Sequence, residues 1–199
     1  QKQEKSAGRD RHVRGVYEDK VREERIMKFF LLGTDKGNHI PYSINKNRII
    51  DIRYTDRRHS YKIPDGCVVD MQLPMEAFFP DLLIGPLLLT SRVFANVIDM
   101  YVPGTIFKIV FLLEYESGVN AIYHMPFLEE VDCLSDQTIK NHGGTGLVQI
   151  VMEEEKVAAK PIFRIAGYTH PYVIGRLDFV ESILRRGVEG ITLEEVNLV

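Results

Sequence analysis

Apolar and polar positions alternate most clearly in the last part of the chain, from Ile162 to Val199. Short β-type runs are broken there by Gly167 and Pro171, and from Leu177 apolar residues recur at three- and four-residue steps. Charged residues occupy the other face, which is typical of an amphipathic helix, and Gly187 can take the left-handed conformation that ends one. The pattern predicts strand, helix, strand, with strands at 162–165, 171–174 and 191–196 and a helix at 177–186.

An earlier segment has the same order. A short apolar run at 87–89 leads to a helix N-cap pair at 90–91, and one helical face of apolar residues follows until the Pro-Gly pair at 103–104. The apolar run 106–113 then predicts a strand. The two helix-turn-strand units align when Gly104 is set against Gly190. This fits a decayed duplication, but two units built independently to the same rules would match as well.

Shorter apolar runs fill in the rest of the fold. They predict a first strand from Met27, and further strands at 48–54, 67–71, 121–125 and 147–152. The intervening residues predict a loop at 33–41, an exposed polar turn at 55–60 and a hairpin at 115–120. We therefore expect residues 27–199 to form a single α+β domain, with a mixed, mainly antiparallel sheet and two or three helices packed on it, including the two helix-turn-strand units.

Residues 1–26 differ from everything after them. They hold eight Lys or Arg against six acids and few bulky apolar residues, so they can bury little surface. Met27 then opens like a natural protein start that runs directly into a strand. The sequence predicts a leader or a loosely attached N-terminal extension. The alternative is a basic helix, with Val13, Tyr17 and Val21 at four-residue spacing, that docks on the core or on a second subunit.

Composition places the chain among globular proteins of reducing compartments. Of its 199 residues 45% are apolar, and no run approaches the roughly 18 apolar residues of a membrane span. Two cysteines, Cys67 and Cys133, are too few to staple a chain of this size, so we expect buried free thiols. These features predict a cytoplasmic protein that does not bind a membrane.

Motifs that could carry chemistry are weak. The loop His-Gly-Gly-Thr-Gly at 142–146 lacks the lysine and the following helix of a phosphate-binding loop, so it predicts a hairpin connection. His124, Cys133 and His142 match no zinc spacing. Ser91 is better explained as a helix cap than as a nucleophile, since no Gly-x-Ser-x-Gly sequence surrounds it. We expect no catalytic, cofactor-binding or metal-binding residues, no cofactor and no enzyme activity.

The charge distribution is the physical signal that stands out. Between Glu114 and Glu155 the chain has nine acids and one base, Lys140, a formal charge of −8, whereas the whole chain is at −3. A surface of this kind repels nucleic acid and attracts a basic protein. The alternative is an ordinary solvated face. The partner-binding hypothesis rests on six of these residues: Glu114, Glu116, Glu129, Glu130, Asp132 and Asp136.

The order of segments resembles a bacterial family. The resemblance is carried by Pro80-Asp81-Leu82-Leu83, Leu87-Leu88-Leu89-Thr90-Ser91-Arg92-Val93-Phe94, Tyr123-His124, Asp132-Cys133-Leu134, Ile162-Phe163-Arg164 and Ile183-Leu184-Arg185-Arg186-Gly187-Val188-Glu189-Gly190-Ile191. These segments are similar to a family first catalogued as a domain of unknown function and later grouped with the immunity proteins of polymorphic toxin systems. The similarity covers roughly Met27 to Val199. Gly175 departs from it, standing where a capping Ser is expected before the second helix.

The resemblance implies a non-catalytic cytosolic protein that binds a cognate toxin and blocks its active site or substrate path. Many such toxins are basic, and the acidic stretch would suit one. The family supplies no catalytic residues. Two other classes remain open: a structural or scaffold protein that forms homo-oligomers through its sheet edges or N-terminal segment, and a small enzyme that uses Asp132, Asp136 or His124.

Overall fold

The computed structural model of the chain describes residues 27–37, 39–45 and 48–199, so the predicted leader at 1–26 lies outside the described residues. The strands, numbered along the chain, are β1 (Phe29–Thr34), β2 (Tyr42–Ile44), β3 (Gly66–Gln72), β4 (Leu82–Ile84), β5 (Leu88–Thr90), β6 (Ile106–Leu113), β7 (Asn120–Phe127), β8 (Glu130–Val131), β9 (Ile139–Lys140), β10 (Leu147–Gln149), β11 (Val151–Met152), β12 (Ile162–Ile165), β13 (Val173–Arg176) and β14 (Ile191–Leu198). The α-helices are α1 (Arg92–Tyr101), α2 (Glu154–Val157) and α3 (Leu177–Arg185), and Ile52–Tyr54 and Arg57–Lys62 are 3-10 helices.

The strands form two six-stranded sheets and one small hairpin. Sheet 1 has the order β11-β14-β1-β13-β12-β8, sheet 2 has the order β2-β3-β6-β7-β5-β4, and β9 pairs with β10. Neighbouring strands are antiparallel except in the pairs β3–β6, β11–β14 and β12–β8. The α+β class with mixed, mainly antiparallel pairing is confirmed, but the strands divide between two sheets where one was expected.

The helices α1 and α3 pack together in a shared core to which both sheets contribute. The rings of Phe94 in α1 and Phe179 in α3 meet edge to face, with centroids 5.8 Å apart. The same buried cluster includes Leu32 from sheet 1 and Leu88 from sheet 2. Each helix connects two parallel strands that flank a third: β5 and β6 flank β7, and β13 and β14 flank β1.

The two helices start differently. The Ser91 hydroxyl accepts a hydrogen bond from the Phe94 amide at 3.3 Å, as expected for an N-cap. The N-cap residue of α3, Arg176, makes no side-chain cap bond. Gly175 lies just before it in β13, where a Cβ would be 3.3 Å from Phe179 and 3.4 Å from Leu32. Close packing against the helix explains a glycine at this position.

Each sheet also packs on a core of its own. Sheet 2 is curled around Val69, Val110, Leu112 and Tyr123, and Ile50 fills part of the space inside it. We call this its inner face. The face of sheet 1 that points away from the helices is covered by the segment 131–157. The buried residues of this core are Phe29, Cys133, Met152, Val157, Phe163, Ile165, Ile174 and Val196.

Several element predictions were wrong. Residues 48–54, predicted as a strand, form a bend and a 3-10 helix, and the strand of this region is β2, which directly follows the predicted loop 33–41. The predicted strand 147–152 is split into β10 and β11. The predicted polar turn at 55–60 contains the start of the second 3-10 helix. The glycine loop 142–146 joins β9 and β10, so its prediction as a hairpin connection is confirmed.

Candidate protein-binding surface

The outer face of sheet 2 is apolar and partly uncovered. Along β6, inward residues alternate with outward ones: Val110 and Leu112 are fully buried, whereas Ile109 is 40% exposed and Phe111 is 39% exposed. Successive side chains of a strand point to opposite faces, so the alternation shows that one face of β6 is packed and the other is open.

Strand register extends this apolar surface across three strands. Phe111 is paired with Val68 of β3 on one side and with Ile122 of β7 on the other, and these neighbours are 42% and 55% exposed. Ile109 stands one step along, beside Gly66, and the Phe111 ring lies 3.9 Å from where a Gly66 side chain would begin. We call Val68, Ile109, Phe111 and Ile122 the apolar patch. A contiguous group of exposed large apolar residues is typical of a surface that meets another molecule.

The patch ends where the helices begin to cover the sheet. Phe107, further along the same face of β6, is partly buried against the core that contains the helices, and it meets His124 edge to face at 6.5 Å between ring centroids. His124 is itself half-buried, and its Nδ1 has no hydrogen-bond partner in the part of the chain that the structure describes. Burial, together with the nearby charge of Arg92, lowers the pKa of His124 and favours the neutral ring.

Acidic residues border the patch at the turn between β6 and β7. The Glu114 carboxylate accepts hydrogen bonds from the amides of Glu116 at 3.1 Å and Ser117 at 2.6 Å, and these bonds hold the pKa of Glu114 below its usual value. The Glu116 side chain is exposed and makes no ion pair among the described residues. Asp70 of β3 is one step beyond Val68, paired with Leu113. The apolar centre therefore has a negatively charged rim.

The structure divides the six acids of the partner-binding hypothesis into separate places. Glu114 and Glu116 lie at the start of β7, whereas Glu129 and Glu130 follow its end. The strand runs from Asn120 to Phe127, which at a rise of about 3.3 Å per residue separates the two pairs by roughly 23 Å. The hairpin pair lies beside the apolar patch, and the second pair lies at the edge of sheet 1.

Three acids of the sequence stretch are already paired. Glu129 forms an ion pair with Lys160 at 2.7 Å, and Glu130 forms one with Arg164 at 3.5 Å. Glu153 is paired with Lys156 at 2.9 Å. The basic partners follow the end of the acidic stretch in sequence, so a count that stops at Glu155 overstates the charge of this region. The edge of sheet 1 is consequently a weaker attractant than the sequence predicts.

Asp132 and Asp136 are exposed and make no ion pair among the described residues. The amide of Glu153 donates to the carbonyl of Cys133 at 2.9 Å, so Asp132 lies near the start of α2 and its acids. These two aspartates belong to the covering segment of sheet 1 and not to the rim of the apolar patch.

Arg164 is a structural side chain. It is only 4% exposed, and its Nη1 donates to the carbonyl of Thr55 at 2.9 Å. Its Nε has no hydrogen-bond partner within residues 27–37, 39–45 and 48–199. Burial lowers the pKa of Arg164, while the charges of Glu130 and Asp56 oppose the shift. The side chain thus connects β12 of sheet 1 to the segment that covers the inner face of sheet 2.

The residues named for the enzyme alternative are absent from the lining of the three cavities described below. Three cavities in the described part of the chain are lined by other residues, and none includes His124, Asp132 or Asp136. Within residues 27–37, 39–45 and 48–199, no three His, Cys, Asp or Glu side chains are grouped to hold a metal ion. The two cysteines are buried and free.

The apolar patch was missed in the sequence. The run 106–113 is apolar at nearly every position, which is typical of a strand that is buried on both faces. In β6 only the inner face and the first part of the outer face are covered. The sequence signal that could have revealed the patch is the run 106–113 itself, since it has apolar residues on both faces of the strand whereas the strand 66–72 has polar residues among its apolar ones.

Comparison with known proteins adds no identity. No protein-family model matches the chain, and no curated protein matches it. The longest helix of the described residues has ten residues, well short of the ~20 that a membrane-spanning helix needs.

Proposed function

We propose that this chain is a non-catalytic binding protein, and that the apolar patch with its acidic rim is where it contacts a basic protein partner. The observation that carries the proposal is the row of Val68, Phe111 and Ile122, exposed side by side on a sheet whose other face is packed. Protein interfaces combine an apolar, desolvated centre with a polar rim, and this surface has that arrangement.

The acidic rim supports a basic partner. Glu114, Glu116 and Asp70 add negative charge on one side of the patch, and the first of them is held ionised by its hydrogen bonds. Charges at a rim act mainly on association rate and orientation, because they attract an oppositely charged surface before contact.

The proposed partner is a toxin that the protein neutralises in the cytoplasm of the cell that makes it. This part of the proposal rests on the resemblance of the segments in 27–199 to immunity proteins. Glu116 is the acid best placed to act in the encounter, since it is exposed, unpaired and next to the patch. Glu129 and Glu130 are less suited, because each is engaged by a base of this chain.

The apolar patch can be tested with one buried-interface substitution and one matched control. Ile122→Asp places a charge beside Phe111 at the β7 end of the patch, and Val148→Asp places one on β10, where the side chain is 68% exposed. The assay is binding to the purified C-terminal toxin domain encoded beside this gene, with growth rescue on co-expression as a second readout. A hot-spot loss of about 2 kcal/mol corresponds to roughly 30-fold weaker binding for Ile122→Asp, with little change for Val148→Asp.

The rim can be tested by association rates. Glu116→Lys and Asp136→Lys change the net charge equally, but only Glu116 borders the patch. We expect Glu116→Lys to slow association at low salt and to lose its effect near 0.5 M salt, because the Debye length then falls below about 5 Å. Equal slowing by both variants would leave only a non-specific charge effect.

Two outcomes would reject the proposal. If Ile122→Asp binds and protects as well as the natural chain, the patch is not the interface. If light scattering shows a homodimer that Ile122→Asp converts to a monomer, and the toxin domain does not bind, the patch serves self-association and the scaffold class is correct.

A further inference from the structure

A second site lies away from the apolar patch, at the open side of sheet 2. Because the sheet is curled, Pro86 beyond β4 on one edge and Tyr42 in β2 on the other line the same groove, whose volume is about 610 Å³. Ligand sites of proteins are typically about 300–1,000 Å³, so the groove is large enough for a small organic molecule.

Part of the groove lining is apolar, and some of its apolar side chains are exposed to solvent. Ile50, which lines it, is fully buried and belongs to the core of the inner face. Tyr42 is 64% exposed and Ile52 is 41% exposed, although both line the groove. An exposed aromatic ring beside aliphatic side chains is a suitable surface for stacking a planar group.

Two arginines supply positive charge at this groove. Arg53 Nε donates to both oxygens of the Asp51 carboxylate, at 3.0 and 3.1 Å, and Nη2 donates to one of them at 2.6 Å. These bonds and the charges of Arg53 and Arg48 lower the pKa of Asp51 to about 2. Arg48 itself makes no ion pair among the described residues. The described lining of the groove therefore has two cations, Arg48 and Arg53, and one anion, Asp51, an excess of positive charge.

The backbone holds Arg48 in an unusual position. Its φ is +46°, in the left-handed region that non-glycine residues rarely adopt. Its amide donates to the carbonyl of Asn45 at 3.0 Å, and the Asn45 side chain in turn bonds the backbone of Ile50. These hydrogen bonds connect Arg48 through Asn45 to the buried Ile50, and strained residues of this kind concentrate at binding sites.

The surrounding sequence has the same sign of charge. Residues 48–62 contain five Lys or Arg and two acids, a formal charge of +3 in a chain whose total is −3. Arg57 and Arg58 are exposed in the same segment but do not line the groove. They are therefore a natural control for charge without geometry.

We infer that this groove binds a small organic anion in which a flat ring carries a phosphate or a carboxylate. The guanidinium groups of Arg48 and Arg53 contact the anionic group, because a planar guanidinium donates paired hydrogen bonds to phosphate and carboxylate oxygens. The ring lies against Tyr42 and Ile52. Mononucleotides and aromatic carboxylic acids share this chemistry. The inference does not depend on the toxin-binding proposal.

The test is isothermal titration calorimetry of the full chain at 50 mM salt with four probes: AMP, adenosine, inorganic phosphate and indole-3-acetate. We expect AMP or indole-3-acetate to bind at least about ten-fold more tightly than adenosine or phosphate, because ring and anion contribute together. Comparison of AMP with adenosine isolates the contribution of the phosphate, because the two probes differ in that group alone.

Matched double variants separate the groove from general charge. Arg48→Gln with Arg53→Gln removes two positive charges from the groove, and Arg57→Gln with Arg58→Gln removes two from the exposed surface beside it. The first pair should weaken binding at least about ten-fold, and the second less than about two-fold. Tyr42→Ala should also weaken the ring-bearing probes while leaving the weak binding of phosphate unchanged.

Three results would overturn the inference. They are no heat of binding with AMP or indole-3-acetate at millimolar concentration, equal losses from the two double variants, or phosphate binding as tightly as AMP. Unfolding midpoints of all variants confirm that each is folded, so a loss of binding is attributable to the groove. Retained toxin binding by the Arg48 and Arg53 double variant distinguishes failure at this site from failure of the proposed function.

Discussion

Replacing Gly190 by Ala is expected to destabilise the protein strongly, and Gly104 provides the control. Both glycines adopt left-handed backbone conformations, with φ of +71° at Gly190 and +79° at Gly104. Alanine in that region costs about 1 kcal/mol at either position. The two positions differ in the space around them: a Cβ at Gly104 meets no atom within 4 Å, whereas one at Gly190 lies 2.4 Å from Pro80 Cβ and 2.6 Å from Phe78 Cε1.

The contact at Gly190 cannot be relieved by rotating one flexible side chain. Pro80 Cα is also only 3.0 Å away, and the loop that contains it is held by Asp81, whose amide donates to the Glu189 carbonyl at 3.0 Å. The Glu189 amide donates back to the Asp81 carboxylate at 2.7 Å. A methyl group must therefore displace this loop, and overpacking of this kind adds about 1–3 kcal/mol.

The comparison is made by urea unfolding of the natural chain, Gly104→Ala and Gly190→Ala, followed by far-ultraviolet circular dichroism. We expect a loss of about 1 kcal/mol for Gly104→Ala and about 2–4 kcal/mol for Gly190→Ala, with unchanged denaturant slopes. Equal losses would show that the loop at Pro80 adjusts freely, and the argument that the hydrogen bonds of Asp81 with Glu189 hold this loop in place would be wrong.

Three further predictions concern buried polar groups. Arg164→Ala leaves Glu130 without its partner and should lower the free energy of unfolding by about 3 kcal/mol, whereas a loss below about 1 kcal/mol in urea unfolding would contradict a structural role. Burial raises the pKa of the Cys133 thiol to about 11, so between about pH 9 and 11 the unfolded thiol loses its proton while the folded one keeps it. The free energy of unfolding should therefore fall by about 2 kcal/mol over this range. The variant Cys133→Ala, measured in reductant as the natural chain is, should show a smaller fall. Thr34→Val removes the hydroxyl that accepts a hydrogen bond from the Ile84 amide at 2.7 Å, so we expect the free energy of unfolding to fall by about 1–2 kcal/mol. An unchanged midpoint in thermal unfolding would contradict this prediction.

The regular elements could be predicted where local pattern and tertiary packing agree. The helix 92–101 has an N-cap serine, an apolar face and a glycine in the left-handed turn that follows, so each local signal indicates the same element. The segment 48–54 was misassigned because Ile49, Ile50 and Ile52 suggest a strand. In the structure the Asp51 carboxylate accepts from the Arg53 amide and caps a 3-10 turn, which competes with strand pairing.

Proline positions also depend on neighbours that the sequence does not reveal. The predicted strand 121–125 stops before Pro126, yet Pro126 lies within β7, opposite Phe107 of β6. On its other side β7 pairs with β5 at His124, so the missing amide of Pro126 falls beyond that pairing. A proline is tolerated in a strand where no ladder bond is required of it, and only the sheet order shows where that is.

The acidic stretch illustrates the limit of reading charge along a chain. Glu129 and Glu130 form ion pairs with Lys160 and Arg164. These bases lie more than 30 residues later in the sequence; the separation is 31 residues for Glu129 and Lys160. Glu116 belongs to the same stretch but faces solvent beside the apolar patch. The sequence shows which residues are acidic, but it does not show that the two pairs of glutamates lie at opposite ends of β7. In the structure the pair before β7 is beside the apolar patch, and the pair after β7 is engaged in ion pairs that stabilise the fold.

The two proposed sites depend on different parts of one sheet. The apolar patch is on the outer face of β3, β6 and β7, where the helices no longer cover it, whereas the groove opens beside Ile50, which belongs to the core of the inner face. Sheet 1 and the helices support sheet 2 from the β4 and β5 side, through contacts such as that of Thr34 with Ile84. That support leaves the β2, β3 and β6 side free of the rest of the fold, which is why exposed apolar and cationic side chains can accumulate there without loss of core packing.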